Sequence, residues 1–326
     1  MRDFLLSYDD FYLRPKHSSL SSRSLADTTV DLCGYKFKLP VVPANMSDVI
    51  SIENAKFLSN NGYFYIYHRF GKSAHEDCDV NLNTVYFTKK ANKENWKLIS
   101  ISTGVGRESM TELLTIKALR LRVDFITIDV AHSDHENVKP VVNFIKDNFP
   151  NTKLIVGNVA TDDGYKFLYG LGVDAVKVGI GGGSICSTKF KTGFHSPTAH
   201  SVLECVETGL KTPIIADGGA KHYGDVAKAL TLGATMVMSG GWFASCIDSP
   251  AKIINGKKLY RGSTSYESKG EHKHIEGISL ELEEGFTYSD RLIEIQQSLQ
   301  SAISYSGGTD LTAFNSVEWA RILSGH

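Results

Sequence analysis

The sequence has 326 residues, of which 42% are hydrophobic and 22% charged, and its formal net charge is −1. This composition is typical of a globular enzyme with a large core, and the charge gives no support for binding to nucleic acid or an anionic membrane. The apolar run at the start of the chain is too short for a signal peptide, and no segment has the roughly 20 apolar residues of a membrane span. The expected location is the cytoplasm.

Eight short apolar runs recur along the chain, and each is followed by a stretch with helical spacing. Near-continuous apolar runs of this kind are typical of parallel strands covered on both faces. Of the helices between them, residues 225–234 give the clearest signal, with Asp225 as the predicted N-cap. The eight predicted strands are residues 39–46, 63–69, 97–104, 124–132, 153–159, 175–181, 213–219 and 235–241.

Eight evenly spaced strand–helix units predict an α/β fold, a single (β/α)8 TIM barrel over residues 1–326. An open doubly wound sheet is the alternative. Active sites of barrels lie at the carboxyl ends of the strands. The predicted strand ends carry mostly polar residues there, namely Asn45, His68, Asp129, His132, Asn158 and Asp217.

A glycine-rich loop after the sixth strand, GIGGGSICSTKFKTGF at 179–194, contains one cysteine. The exposed amides of this loop, together with Lys189 and Lys191, favour the thiolate of Cys186, so this residue is a candidate nucleophile. The alternative is a small buried hydrophobe, as most free cysteines are. No pair among the five cysteines has C-x-x-C spacing, which argues against zinc and disulfides. The remaining four are interpreted as structural: Cys33, Cys78, Cys205 and Cys246.

The last two predicted strands end in glycine pairs, Gly218-Gly219 and Gly240-Gly241. Loops at these two positions of a barrel often bind phosphate through backbone amides, although each pair alone is more often a tight turn. Asp217 would then suit ribose hydroxyls, because a carboxylate accepts hydrogen bonds.

The stretch 260–285 lacks a regular period over most of its length. It is either a solvated loop or an active-site lid, in which Glu276 would be a movable acid or base. The predicted mobile flap spans approximately 262–290.

Several ordered motifs identify a family resemblance. LPVVPANM, ITIDVAH, GNV, KVGIGGGSICSTK, PIIADGG, GDVAKAL and GATMVMSGG resemble the IMP dehydrogenase/GMP reductase family over nearly the whole chain. The chain is more similar to the GMP reductase branch. Residues 70–96 leave no room for the regulatory module that IMP dehydrogenases usually insert, the flap lacks their Arg-Tyr pair, and HIEG at 274–277 resembles a motif with a catalytic glutamate.

The resemblance implies reductive deamination of GMP to IMP and ammonia with NADPH, a step of purine salvage. Cys186 would form a covalent thioimidate, and Thr188 and Glu276 would transfer protons. The residues implied to bind GMP are Asp217, Gly218, Gly219, Gly240, Gly241, Gly262, Ser263, Thr264, Ser265 and Gly277.

The resemblance also implies binding of NADPH and potassium. NADPH would contact Asp129, Val130, Ala131, Ile180 and Gly181, while Ser22 and Arg23 would reach the cofactor of a neighbouring subunit in a homo-oligomer, expected to be a tetramer. Carbonyls of Gly181, Gly183 and Cys186 would hold the potassium ion.

The chain departs from the family pattern at Gly182, usually proline, and in two segments of the flap, 262–265 and 273–277. The flap changes leave alternatives open. These are an IMP dehydrogenase without its regulatory module, a relative acting on a deoxy or modified guanine nucleotide, and a non-catalytic nucleotide-binding barrel.

Overall fold

Seven parallel strands form the central sheet of a computed structural model that describes residues 5–70, 83–262 and 278–322. Their buried side chains are mostly Val and Ile, which suit a pleated surface covered on both faces. The strands are β4 (Val41–Pro43), β5 (Ser100–Thr103), β6 (Phe125–Asp129), β7 (Lys153–Val159), β8 (Ala175–Val178), β9 (Ile214–Asp217) and β10 (Met236–Ser239). They pair in the order β4–β10–β9–β8–β7–β6–β5.

The two edges of this sheet show how the barrel closes. At one edge the first strand, β4, pairs in parallel with the last strand, β10. At the other edge Tyr67 forms a parallel bridge with Ile101 of β5, and its amide donates to the carbonyl oxygen of Ser100 at 3.0 Å. The TIM barrel is therefore confirmed, but its second predicted strand, 63–69, is represented by this single bridge. Its side chains from Tyr63 to His68 are nevertheless buried.

Ten α-helices in the described residues follow the strands. They are α1 (Ile52–Asn61), α2 (Asn83–Lys93), α3 (Arg107–Ala118), α4 (Val138–Asn148), α5 (Asp162–Gly170), α6 (Thr188–Thr192), α7 (Thr198–Glu207), α8 (Gly224–Thr231), α9 (Gly241–Ala244) and α10 (Tyr288–Tyr305). In α4 the residues Val138, Val141, Val142 and Ile145 are buried, which is the spacing of one helix face. None of the helices within the described ranges is long and apolar enough to cross a bilayer.

The helix signal at 225–234 corresponds to α8, but Asp225 is not its N-cap. Asp225 lies in the first turn, where its carboxylate accepts hydrogen bonds from the amides of Lys221 and His222 at 2.8 and 2.9 Å. It thus stabilises the turn that leads into the helix, and the N-cap is Tyr223.

Short elements outside the barrel join distant parts of the chain. β1 (Phe11–Leu13) pairs with β14 (Trp319–Arg321), and β2 (Val30–Leu32) forms a hairpin with β3 (Tyr35–Phe37). β11 (Lys252–Ile254), β12 (Lys257–Arg261) and β13 (Ser279–Glu283) form an antiparallel sheet after the barrel. The 3-10 helices are Tyr8–Asp10, Arg23–Leu25 and Leu311–Ser316.

The last part of the predicted flap has regular secondary structure, because residues 279–283 form β13 and helix α10 begins at Tyr288. Leu280 and Leu282 of β13 pack against the core, while the residues that alternate with them along the strand are exposed. The alternation in SLELE is thus the period of a half-buried strand.

Candidate active site

A buried lysine lies at the centre of the strand ends, although sequence reasoning did not select it. Lys177 of β8 is only 2% exposed, and its Nζ lies 2.7 Å from Oδ1 of Asp129 and 3.0 Å from Oδ2 of Asp217. These carboxylates end β6 and β9, so the lysine joins strands on both sides of its own. A charge this deeply buried is tolerated because it is paired.

Two asparagines complete this cluster. Nδ2 of Asn45 donates to Oδ2 of Asp129 at 3.0 Å, and Nδ2 of Asn158 donates to Oδ2 of Asp217 at 2.8 Å. Asn158 also donates to the carbonyl oxygen of Gly179 at 2.7 Å. Four of the polar strand ends predicted from sequence therefore meet through a fifth residue, Lys177.

The electrostatics keep Asp129 and Lys177 ionised. Burial raises the pKa of Asp129, but the charge of Lys177 and its hydrogen bond outweigh burial, so the pKa lies below its ordinary value. Burial also opposes the ammonium of Lys177, yet the charges of Asp129 and Asp217 raise its pKa overall. By contrast, burial lowers the pKa of His68 to about 4, so this predicted strand-end histidine is neutral near pH 7.

The lysine side chain crosses the neighbouring strand at a glycine. Gly157 of β7 lies opposite Lys177, and a Cβ at Gly157 would be 2.4 Å from the Cβ of Lys177. Any side chain at this position would therefore force Lys177 or one of the two strands to shift.

Close packing of two loops explains the density of glycines after β8. A Cβ at Gly179, whose φ is 143°, would lie 2.1 Å from the carbonyl oxygen of Asp217. A Cβ at Gly218 would lie 3.0 Å from the amide nitrogen of Gly183. The loop that carries the cysteine is thus packed directly on the loop after β9, and only glycine permits this approach.

Cys186 and Thr188 are brought together by this loop. The Cys186 thiol donates to Oγ1 of Thr188, which begins α6, at 3.2 Å. Burial raises the pKa of the other described thiols, to about 12 for Cys33 and Cys205 and about 11 for Cys246. The raised pKa keeps those three thiols protonated and therefore unreactive near pH 7. Cys78 lies outside the described residues.

The base of the flap is fixed beside the cysteine loop. Arg261, at the end of β12, pairs with the buried carboxylate of Asp48 through Nε, Nη2 and its own amide. The amide of Gly262 donates to the carbonyl oxygen of Ile278 at 3.0 Å, and the amide of Ile278 donates to that of Ile185, also at 3.0 Å. The predicted site residues Ser263, Thr264, Ser265, Glu276 and Gly277 lie outside the described residues.

The two glycine pairs predicted to bind phosphate end adjacent strands. A Cβ at Gly240 would lie 1.9 Å from the hydroxyl oxygen of Tyr260, whereas a Cβ at Gly241 would have no neighbour within 4 Å. Gly218 and Gly219 both have positive φ, of 89° and 83°. The backbone at Gly241 is therefore approachable from one side by a ligand.

Five of the residues predicted to bind the cofactor lie at the carboxyl ends of two strands, β6 and β8. Asp129, Val130 and Ala131 form the end of β6, where the amide of Val130 donates to the carbonyl oxygen of Gly157 at 2.9 Å. Ile180 and Gly181 follow β8, and a Cβ at Gly181 would meet the His195 ring at 2.8 Å.

The other predicted cofactor residues lie against α10. Nη1 of Arg23 donates to Oγ of Ser301 at 3.4 Å, and Oγ of Ser22 lies 2.8 Å from that of Ser24. Both are exposed, and none of the contacts found for the described chain links them to the strand-end cluster. They are therefore accessible to a neighbouring subunit.

The chemistry of the cysteine loop fits the predicted potassium ion. The described residues contain no group of three or more His, Cys, Asp or Glu side chains that could hold a metal. A potassium ion instead takes neutral backbone carbonyls. The glycines at 181–183 carry no side chain that could cover such carbonyls, although the carbonyl oxygen of Gly183 also accepts from the amide of Cys186 at 3.1 Å.

The arrangement defines a class of protein, a TIM barrel whose thiol-bearing loop packs against the strand end that supplies Asp217 to a buried lysine–carboxylate cluster. A family model described as the IMP dehydrogenase / GMP reductase domain matches residues 5–324. The chain therefore belongs to the IMP dehydrogenase/GMP reductase family, as its motifs predicted.

Relatives match the chain over nearly its whole length. A protein named GMP reductase from Helicobacter pylori (strain G27) is 42% identical over 320 residues, which cover 97% of this chain and 95% of the relative. Proteins of the same name from Lactococcus lactis subsp. cremoris (strain MG1363) and Chromobacterium violaceum are 42% and 40% identical over 321 residues, covering 94% and 98% of the relatives.

Proposed function

We propose that this protein is a GMP reductase that converts GMP to IMP and ammonia at the expense of NADPH. The observation that carries the proposal is the pairing of Cys186 with Thr188 at 3.2 Å on a glycine loop that also holds the end of the flap through Ile185. Relatives that are 40–42% identical and named GMP reductase support the same conclusion.

The thiolate of Cys186 is the nucleophile. Its sulfur forms a bond to C2 of the guanine ring, the C2–N bond to the exocyclic amine breaks, and the amine leaves as ammonia after protonation. The nucleotide is then attached to Cys186 as a thioimidate, which divides one difficult displacement into two easier steps. NADPH supplies the hydride that C2 gains as the C–S bond breaks and the thiolate is restored. Overall, GMP, NADPH and two protons give IMP, NADP⁺ and ammonium.

Proton transfer is assigned to Thr188 and Glu276. The Thr188 hydroxyl accepts a hydrogen bond from the thiol in the structure, so it can relay the thiol proton by passing its own proton on to a base. Glu276 stands two residues before Ile278, whose amide is bonded to the residue preceding Cys186. Positioned acids and bases of this kind contribute about 10²–10⁴ in rate.

GMP is held by the loops after β9 and β10. Both donors to the Asp217 carboxylate within the described residues bind Oδ2, which supports a role for Oδ1 in accepting hydrogen bonds from the ribose hydroxyls. The phosphate lies on Gly218, Gly219, Gly240 and Gly241, and the flap residues Gly262, Ser263, Thr264, Ser265 and Gly277 cover the nucleotide. The open space above Gly241 supports this arrangement.

Asp129, Val130, Ala131, Ile180 and Gly181 hold the nicotinamide end of NADPH, and Ser22 and Arg23 serve the cofactor of a neighbouring subunit. A guanidinium fork suits the 2′-phosphate. The carbonyls of Gly181, Gly183 and Cys186 would hold a potassium ion, which would stabilise the shape of the cysteine loop. The exposure of Arg23 supports a homo-oligomer, for which we propose a tetramer. The four described cysteines are free, which supports a cytoplasmic location.

A substrate panel tests the function. GMP, dGMP and IMP are each incubated with NADPH, and IMP is also incubated with NAD, while reduced cofactor and ammonia are followed. Stoichiometric ammonia release and NADPH consumption with GMP are expected. NADH formation from IMP would assign the IMP dehydrogenase reaction instead, a preference for dGMP would change the substrate, and no turnover with any pair would contradict an enzyme of this class.

A further inference from the structure

We propose that Lys177 is a positioning residue for this reaction, because it fixes a carboxylate on the ribose side of the site and another on the cofactor side with one ammonium group. The identities of the two ligands rest on the proposed function. The lysine itself is too deeply buried to contact them, so it acts through Asp129 and Asp217.

The contacts of the ammonium are too specific for a general stabilising role. Its Nζ touches Oδ1 of Asp129 at 2.7 Å and Oδ2 of Asp217 at 3.0 Å, and it lies 4.0 Å from Sδ of Met238. Well-packed apolar residues often stabilise a core as much as a buried ion pair does, so stability alone gives little reason for a lysine here. The glycine at position 157, over which the lysine passes, serves the same arrangement.

The two carboxylates differ from the lysine in exposure. Their side chains are 20% and 22% exposed, whereas the lysine is 2% exposed. Both carboxylate side chains are therefore partly exposed at the strand ends, while their common counter-ion is buried beneath them. A shift of the ammonium would move both carboxylates, so the lysine couples the position of the ribose to that of the nicotinamide.

The charged and titratable groups around the cluster are few within the described chain. Asp129 comes from β6 and Asp217 from β9, the charge of Arg69 acts on Asp129, and the Tyr260 hydroxyl is near Asp217. Asn45 and Asn158 are neutral donors. Without Lys177, two carboxylates would face each other with little compensation, and the pair would take up one proton at a higher pH.

The variant Lys177→Met is compared with Lys228→Met. Lys228 is also buried and ion-paired, donating to the carbonyl oxygen of Tyr8 at 2.6 Å and lying 3.5 Å from Asp225, but it belongs to α8 on the outer layer. GMP affinity is measured by calorimetry, and kcat and KM by NADPH consumption, from about pH 6 to about pH 8.

For Lys177→Met we expect GMP affinity to fall about tenfold between pH 8 and pH 6, with kcat reduced over the whole range, because the pair binds a proton there. Wild type and Lys228→Met should vary by less than about threefold. Lys177→Arg retains the charge and should retain the wild-type pH profile. An unchanged affinity and pH profile in Lys177→Met would overturn the proposal.

If Lys177→Met does not fold, Asp129→Asn is compared with the double variant that carries both Asp129→Asn and Lys177→Met. Because Asp129→Asn removes one carboxylate, fewer unpaired charges remain in the double variant than in Lys177→Met. As the pH falls, the double variant should still lose more GMP affinity than Asp129→Asn does. Identical profiles would overturn the positioning role. Wild-type protein that binds GMP without turnover would contradict the proposed function alone, since the affinity profiles need no catalysis.

Discussion

The amide of Ile278 donates a hydrogen bond to the carbonyl oxygen of Ile185 at 3.0 Å. Cys186 is the next residue, so the strand that follows the flap begins beside the thiol. The amide of Gly262 in turn donates to Ile278, which brings the two ends of segment 263–277 to the same place. The described residues that flank the segment containing Glu276 are therefore held at the loop that carries the nucleophile, Ile278 directly and Gly262 through Ile278.

Glu276→Gln tests the acid–base role of this segment. We expect ammonia release from GMP to fall by about 10²–10⁴, because the leaving amine must be protonated. Exchange of hydride between NADPH and IMP should fall much less, since it does not involve that proton. Both rates are measured with deuterated cofactor, and an equal loss in the two would mean that the residue is structural.

Cys186→Ala should abolish turnover while GMP still binds, because only the covalent bond is removed. Mass spectrometry of the trapped wild-type reaction should find the nucleotide on the peptide that contains Cys186. Cys33→Ala is the matched control, since burial holds the pKa of that thiol near 12. Appreciable turnover by Cys186→Ala would exclude the covalent route.

Arg261→Lys should weaken the anchor of the flap. The guanidinium binds the Asp48 carboxylate with two groups at once, whereas a lysine donates from a single point. We expect faster amide exchange near Gly262 and a fall in kcat/KM of about tenfold, equivalent to about 1.4 kcal/mol. Lys257→Met, which breaks only the exposed pair with Glu283 of the same sheet, should leave both measurements unchanged. Equal behaviour of the two variants would argue against the anchor.

Gly157→Ala should lose activity, because the added Cβ would lie 2.4 Å from that of Lys177. Overpacking of this kind costs about 1–3 kcal/mol in unfolding free energy, measured in urea. Gly170→Ala is the control, since a Cβ there meets no atom within 4 Å. A stable and fully active Gly157→Ala protein would contradict the tight crossing.

Glu112 makes stability depend on pH. Burial raises its pKa to about 7, while its Oε1 accepts from the amide of Thr84 at 3.0 Å. A pKa above that of the unfolded chain stabilises the fold at low pH, and this contribution is lost as pH rises through about 7.

Glu112→Gln keeps an acceptor oxygen without the charge. Between pH 5 and pH 8.5 wild type should lose about 2 kcal/mol of unfolding free energy relative to this variant. Urea unfolding at both pH values measures the difference, and Glu53→Gln, on the exposed first turn of α1, is the control. A constant difference across this range would contradict a raised pKa.

The barrel could be predicted because apolar runs and turn residues are local signals. The run 153–159 corresponds residue for residue to β7, and the run 175–181 contains β8. The latter was predicted too long, since Gly179 and Gly181 follow an apolar run but adopt φ of 143° and 79°. Local composition does not show at which residue the strand pairing ends and such a loop begins.

The pairing of charges could not be predicted in the same way. Lys177 interrupts an apolar run, and this interruption was the signal in the sequence that could have indicated its role. Its partners, however, lie on two other strands and become neighbours only when the barrel forms. The same holds for Arg261 and Asp48. Strand ends could be assigned to one face from sequence, whereas the contacts among their side chains depend on tertiary structure.

The pairing of β4 with β10 has a consequence for synthesis of the protein. Val41 lies opposite Val237, so β4, the first strand of the seven-stranded sheet to leave the ribosome, pairs only when the last strand of that sheet, β10, has been made. Until Met236–Ser239 has emerged, the nascent chain presents an open hydrogen-bonding edge, which is prone to pair with other chains. Chaperone binding during translation would protect this edge, and a premature stop before β10 would leave a polypeptide that cannot complete its barrel.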